Sequence, residues 1–310
     1  MVPTHDYDHV LIEIRKRLHD PRGSKAVVMI GAGFSRNAVP VTSTGQKFPL
    51  WPEMTEGLAR QLYPDKADAD NVLRTAGATS SALRLAEEFE VAFGRSRLID
   101  FVRETIRDDE FLPGRLHYDL LELRWADVFT TNYDRLLEDA ARSLWKRHYD
   151  PVYCVGDIPL ARRPRLIKLH GSLPDLEHLV LTESDYRSYH RKYGPFVAAV
   201  RAALTENILC LIGFSGVDPN FLAWTGWLRD ELQGSVPKTY LFTSEEMKPF
   251  QRQLLEDRHI IPVPITKIAG KESYAEAYAW LIDKLGQPAE EPSPAWNMKP
   301  HYAVARSDPT

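Results

Sequence analysis

Short apolar runs alternate along this chain with longer stretches in which apolar residues recur every three to four positions. Six runs read as strands, at 26–30, 127–131, 165–169, 208–212, 239–243 and 259–265. Most are apolar at successive positions rather than at every second one, as expected of strands covered on both faces. Helical spacing at 134–147, 195–206, 219–233, 246–257 and 273–285 follows these runs closely enough for right-handed crossovers. The pattern predicts an α/β protein with a largely parallel six-stranded sheet and helices on both faces. Between the first two strands, Leu58, Leu62, Leu83, Leu85, Phe89, Leu98, Phe101 and Val102 stand at broken helical spacing, so a helical insertion is expected over about 53–125. Residues 41–52, with Gly45, Pro49 and Pro52, read as a loop. One domain is expected over 1–286, followed by an extended tail over 287–310 that carries Pro288, Pro292, Pro294, Pro300 and Pro309.

Composition narrows the function more than the fold. Lys and Arg number 39 against 43 Asp and Glu, a net charge of −4, which lacks the basic footprint of a dedicated nucleic-acid binder. Two cysteines, Cys154 and Cys210, can build neither a disulfide framework nor a four-cysteine zinc ribbon. His5 and His9 have the spacing of a helical metal pair, but no Cys or Glu completes it, and no metal site is expected. No run approaches the ~18 apolar residues of a membrane span, and the first residues show no basic segment followed by an apolar one, so a cytoplasmic protein without membrane contact is expected. Arg142, Lys146, Arg147, Arg162, Arg163, Arg165 and Lys168 form a locally basic stretch that reads as a solvated face.

The candidate chemistry gathers where strands end. Gly31-Ala32-Gly33-Phe34-Ser35 follows the first strand, the place where a nucleotide fold lets backbone approach a phosphate and aims helix N-terminal N–H groups at it; a simple tight turn is the plainer alternative. The hydride-transfer fingerprint is broken, because Arg36 stands where a third Gly is needed and the Pro49-Leu50-Trp51-Pro52 loop replaces the acidic strand end. The second strand runs into Thr130-Thr131-Asn132-Tyr133-Asp134, with Asp134 readable as a helix cap and Asn132 as a ligand-facing amide. The third ends in Lys168-Leu169-His170-Gly171-Ser172, where an imidazole can move a proton for a ligand or sit satisfied in the core. The fourth ends in Gly213-Phe214-Ser215-Gly216-Val217-Asp218. Val217 breaks the nucleophile-elbow pattern, Ser215 and the N–H groups near Gly213 and Gly216 suit a ribose or phosphate, and Asp218 suits a helix cap.

Taken in order and spacing, these four motifs resemble those of the sirtuin-like superfamily over about residues 24–285. Pro49-Leu50-Trp51 and Val180-Leu181-Thr182-Glu183-Ser184-Asp185-Tyr186 resemble its bacterial branch. The protein deacylases of that superfamily carry a zinc ribbon and an Asp-Phe-Arg element that this chain lacks. The resemblance therefore points to the bacterial NAD hydrolases that deplete NAD in antiviral defence, and to a Rossmann-like fold. It implies NAD as substrate, held by Gly31, Ala32, Gly33, Phe34, Ser35, Thr131, Gly213, Phe214, Ser215 and Asp218, with Asn132, His170 and Asp134 as the catalytic residues. It further implies a homo-oligomer, or a protein partner such as a HerA-type ATPase or another sensor, to restrain the activity. An NAD-dependent ADP-ribosyltransferase or deacylase, and a non-catalytic NAD-binding or ADP-ribose-binding module, remain the alternatives.

Overall fold

In chain order the strands are β1 (Ala26–Ile30), β2 (Val39–Pro40), β3 (Phe111–Leu112), β4 (Val128–Thr130), β5 (Asp150–Val152), β6 (Arg165–Lys168), β7 (Ile208–Ile212), β8 (Thr239–Thr243) and β9 (Ile260–Pro264). This computed structural model describes residues 7–42, 45–75, 79–173, 175–216, 218–232, 236–244 and 246–288. The expected tail from 289 onward and His5 lie outside the described residues. The main sheet has seven strands, not six, in the order β5-β6-β4-β1-β7-β8-β9, and every pairing in it is parallel. The additional strand, β5, is a three-residue edge strand with Pro151 at its centre, and a proline is tolerated in a sheet mainly at such an edge.

Alternation along the strands divides the core into two layers. Val28, Ile30, Cys210, Ile212, Tyr240 and Phe242 pack on one face with helices Tyr7–Leu18, Arg115–Glu122 and Tyr274–Gly286. Val27, Met29, Phe129, Ile167, Leu209, Leu211 and Leu241 pack on the other with helices Glu183–Lys192, Gly194–Glu206 and Pro219–Leu232. Both faces are covered, which is why the strands are apolar at successive positions.

The insertion after β1 is helical, as its composition predicts, with helices Trp51–Leu62, Lys66–Thr75, Thr79–Phe93, Arg95–Ile106 and Arg115–Glu122. Its ends are clasped by the antiparallel pair β2–β3. A third apolar cluster joins Met54, Leu58, Phe89, Phe101 and Ile106 of these helices to Tyr133 just beyond β4 and to Leu173, Leu179 and Leu181 beyond β6. The inserted layer therefore covers the carboxyl ends of the strands. Among the described residues, no helix is long and apolar enough to cross a membrane.

The basic stretch departs from expectation. Arg142, Lys146, Arg162 and Arg163 are exposed, but Arg165 and Lys168 belong to β6 and are buried. Arg165 grips Asp127 through Nε and Nη2 at 3.2 and 2.7 Å. Lys168, wholly removed from solvent, pairs with Glu138 Oε1 at 3.0 Å and donates to the backbone carbonyl of Asp134. Truncating one partner of such a pair leaves the other charge buried and uncompensated, at a cost of about 3–5 kcal/mol. Among the described residues, Glu138 Oε2 already has no hydrogen-bond partner. Lys168→Met should therefore lower the urea midpoint sharply, and adding Glu138→Leu should restore most of it. A single variant as stable as the parent would contradict the burial described here.

Candidate active site

β1 and β7 lie side by side, yet the chain leaves them in opposite directions, toward β4 from β1 and toward β8 from β7. In an open parallel sheet such a reversal opens a crevice at the carboxyl ends of the strands. A cleft of about 800 Å³ lies there, walled by Gly31, Ala32, Gly33, Thr131, Gly213, Phe214, Ser215 and Asp218, with Trp51, Tyr186 and Tyr274 also on its wall. Arg36 is the one Lys or Arg among the described residues that line it. Its guanidinium is ion-paired with Glu53.

The loops after β1 and β7 touch backbone to backbone, and this contact corrects the role expected of the glycines. Gly31 N–H donates to Ile212 O at 3.0 Å and Gly33 N–H to Gly213 O at 2.9 Å, so neither amide is aimed at a ligand. A Cβ on Gly31 would stand 2.4 Å from Gly213 O, and one on Gly213, whose φ is +63°, would stand 2.3 Å from Phe34 N. The glycines permit two loops to cross; the following helix, Ala32–Ser35, is a single short turn. Phe34 is not on the cleft wall but in the core, edge-on to His117 and Tyr278.

Ser35 turns inward to a polar chain. Asn132 Nδ2 donates to Ser35 Oγ at 3.1 Å, and Ser35 Oγ donates to Asp134 Oδ2 at 2.8 Å. Asp134 Oδ1 accepts from Leu136 N–H at 3.2 Å, but the cap position of helix Leu136–Arg142 is Arg135, so Asp134 stands one residue before the cap expected of it. Burial pushes the Asp134 carboxyl up to about 6, opposed by Lys168 and by the Ser35 hydrogen bond. Asn132 is buried, and among the described residues its Oδ1 has no hydrogen-bond partner. A small hollow of about 30 Å³, lined by Ala32, Trp51, Thr131, Asn132 and Asp134 among others, borders it and has room for about one water. An unpaired buried acceptor is costly, so an oriented acceptor beside such a hollow marks a place for a donor.

Asn132 and His170 share a level in the fold. β4 and β6 are neighbours with Thr130 paired to Lys168, and Asn132 and His170 each stand two residues beyond that pair. His170 is buried and lies behind the cleft wall rather than on it. Its Nδ1 is 3.3 Å from the Tyr186 hydroxyl, which donates to Asp218 Oδ2 at 2.9 Å, and its Nε2 is 3.4 Å from Asn220 Nδ2. Burial lowers the His170 pKa from its usual value, with Asp218 and Asp185 pulling it upward. Asp218 Oδ1 accepts from Phe221 N–H at 3.0 Å, the helix cap expected from sequence. Tyr186, Asn220, Arg36 and Trp51 are the residues the motif reading did not single out for the site. Tyr186 and Trp51 stood inside the segments that resembled the bacterial branch, while Arg36 was weighed only against the hydride-transfer pattern. Among the described residues, no group of three or more His, Cys, Asp or Glu is placed to hold a metal ion.

The geometry defines a polar site at the strand ends of a parallel α/β sheet, and the chain has similarities to known proteins. Residues 126–263 match the family model of the SIR2-like domain. It is 24% identical over 292 residues to defense-associated sirtuin 2 of Bacillus subtilis, covering 90% of this chain and 27% of that protein. It is 29% identical over 137 residues to NAD(+) hydrolase ThsA of Bacillus cereus (strain MSX-D12), covering 43% and 29% respectively. Against NAD(+) hydrolase ThsA of Enterococcus faecium it is 27% identical over 205 residues, covering 63% and 38%. The chain thus spans 27% to 38% of the length of these relatives. Among solved structures, it is similar to Sir2 with deacetylated p53 peptide and 3′-O-acetyl ADP ribose, at a TM-score of 0.44 and 13% identity, covering 88% of this chain and 96% of that one.

Proposed function

We propose that this protein hydrolyses NAD at the bond between nicotinamide and ribose, giving ADP-ribose and nicotinamide, and that it acts as an NAD-depleting effector in bacterial antiphage defence. The observation that carries the proposal is the pairing of Asn132 and His170 at one level of adjacent strands, with the Asn132 Oδ1, unpartnered among the described residues, beside the small hollow that shares Ala32, Trp51 and Thr131 with the cleft at the strand reversal. The names of the relatives, two of them NAD(+) hydrolases and one a defense-associated sirtuin, agree with it.

The cleft volume falls in the range of ligand sites, roughly 300–1,000 Å³, and it has the mixed lining that a dinucleotide needs. Cleavage builds positive, oxocarbenium-like character on the ribose while nicotinamide departs neutral with the bonding electron pair. The site must hold the sugar and place a water more than it must supply a strong nucleophile. Asn132 Oδ1 accepts a hydrogen bond from that water or from a ribose hydroxyl. His170 takes a proton from a ribose hydroxyl, directly or through water, and Asp134 holds the Asn132–Ser35 chain in place. Gly31, Ala32, Gly33, Thr131, Gly213, Phe214 and Ser215 form the walls on which the dinucleotide lies.

Arg36 is placed to meet the pyrophosphate in exchange for Glu53. A charge-assisted contact of about 1.5–3 kcal/mol, less the lost ion pair, predicts that Arg36→Ala raises KM for NAD about tenfold with kcat little changed. Initial rates over a range of NAD concentrations check this, and an unchanged KM removes Arg36 from the binding site.

An NAD-depleting enzyme must be restrained. In this proposal residues 1–286 act as one NAD-binding unit in the cytoplasm, and self-assembly or a sensor partner such as a HerA-type ATPase supplies the control. The experiment is nicotinamide and ADP-ribose release by the purified chain across a range of protein concentrations, with and without an acyl-lysine peptide. Release without the peptide, rising more steeply than protein concentration, is expected. Release only when the peptide is present would favour an acyl- or ADP-ribosyl-transfer enzyme instead.

A further inference from the structure

One phenolic oxygen, that of Tyr186, bridges a carboxylate and an imidazole. It donates to Asp218 Oδ2 at 2.9 Å and stands 3.3 Å from His170 Nδ1. A hydroxyl has a single proton to give. With that proton on the bond to Asp218, only a lone pair faces the ring, so Nδ1 carries the hydrogen and donates it. Nε2 is then the acceptor nitrogen, and its contact with Asn220 Nδ2, at 3.4 Å, is the longest of the set and the first that a substrate hydroxyl or water would displace.

We propose that Tyr186 and Asp218 are positioning residues for the hydrolysis proposed above, holding His170 in its Nδ1–H tautomer so that Nε2 takes the proton and Asp218 steadies the imidazolium. The inference rests on that reading of the site. The step balances without a co-reactant: an O–H proton passes to Nε2, the Nδ1 hydrogen stays in place, and the positive charge formed is one hydroxyl away from the Asp218 carboxylate. Tyr186 and Asp218 both line the cleft, so the relay lies beside the space where substrate would sit.

The other described groups around the ring have partners of their own. Asp185, on the same helix as Tyr186, is paired with Arg95 at 2.9 Å and accepts from Leu181 and Thr182 N–H, so it steadies the loop before that helix. Tyr189 lies edge-on to the ring and gives its hydroxyl proton to Leu169 O at 2.8 Å. Asn220 comes from the helix that Asp218 caps. Burial keeps the ring in its neutral, proton-accepting form near pH 7.

The test is Tyr186→Phe, which keeps the ring that packs edge-on against His170 and removes only the hydroxyl. Ring nitrogen-15 shifts of the labelled, NAD-free protein report the tautomer, with the His170 signals assigned by their loss in His170→Gln. The wild type should show Nδ1–H, and Tyr186→Phe should show Nε2–H or a mixture. In nicotinamide release the variant should lose about 10²-fold in kcat with KM nearly unchanged. Its acidic limb should move to lower pH, because the imidazolium has lost its link to Asp218. Asp218→Asn, which keeps an acceptor for the Phe221 N–H cap, should move the limb the same way. An Nε2–H wild type, or a tautomer and an acidic limb that do not move in Tyr186→Phe, overturns the relay. Because the nitrogen shifts are read without NAD, a tautomer that moves in a protein releasing no nicotinamide supports the relay and counts against the hydrolase, while hydrolysis with an unmoved tautomer counts against the relay alone.

Discussion

Asn132→Ala and His170→Ala are each expected to abolish nicotinamide release from NAD while leaving the protein folded. The two losses have different physical origins. His170→Ala removes the proposed proton acceptor, and a positioned acid or base contributes typically 10²–10⁴-fold. Asn132→Ala removes the Oδ1 acceptor proposed to orient water or ribose, together with the Nδ2 bond to Ser35. Ser35 keeps its bond to Asp134, so the second loss stops at one link of the chain. The backbone around both residues is held independently, Asn132 N–H by Thr130 Oγ1 at 3.1 Å and the His170 carbonyl by Val180 N–H at 3.1 Å. Circular dichroism and thermal melts of both variants should therefore match the wild type closely. Near wild-type turnover in either variant would defeat the assignment of that residue.

The second large effect concerns stability at the strand reversal. Gly213→Ala places a methyl group 2.3 Å from Phe34 N, a backbone atom that cannot step aside, at a φ of +63° that already disfavours a side chain. A left-handed conformation alone costs about 1–2 kcal/mol in a residue with a Cβ. Gly270 separates the two contributions, since its φ is +62° and nothing among the described residues lies within 4 Å of a Cβ built there. Gly270→Ala should therefore show only the conformational cost. Gly213→Ala should lose roughly 3 kcal/mol or more, or fail to fold, because the β1 and β7 loops can no longer cross. Chemical denaturation of the pair decides this, and equal losses at the two positions would mean that the close crossing is not a constraint.

Much of the fold was legible in the sequence because its strands are buried on both faces and advertise themselves as unbroken apolar runs. β1, β7 and β8 fall within the expected bounds for that reason. β5 escaped because Asp150-Pro151-Val152 has neither the length nor the composition of a strand and is recruited by its neighbour β6. The helix Tyr7–Leu18 carried a readable signal, with Val10, Leu11, Ile14 and Leu18 on its buried face, and passed unmarked beside the stronger pattern downstream.

The site was legible as a set of strand ends but not as a network. Asn132, Asp134, His170 and Asp218 announce themselves as polar residues where apolar runs stop. Their partners are distant in the chain: Ser35 meets Asp134 across 99 positions, and Asn220 meets His170 across 50. Only folding brings these together, and no local spacing encodes it. The same limit explains Lys168, which looks like part of a solvated basic stretch until β6 carries it beneath Asp134, where it meets Glu138 from the following helix. The glycines illustrate the reverse case. Gly-x-Gly after a strand suggested room for a phosphate, and the structure uses that room for another loop.

The most direct test of the central claim is hydrolysis of NAD in oxygen-18 water by the purified protein over a range of concentrations, with the products weighed by mass spectrometry. If water is the acceptor, ADP-ribose appears in equal amount to nicotinamide and carries one oxygen-18 atom at the carbon from which nicotinamide left. Nicotinamide release with the ADP-ribosyl group on a protein or acyl acceptor, or intact NAD bound without any product, would contradict the account.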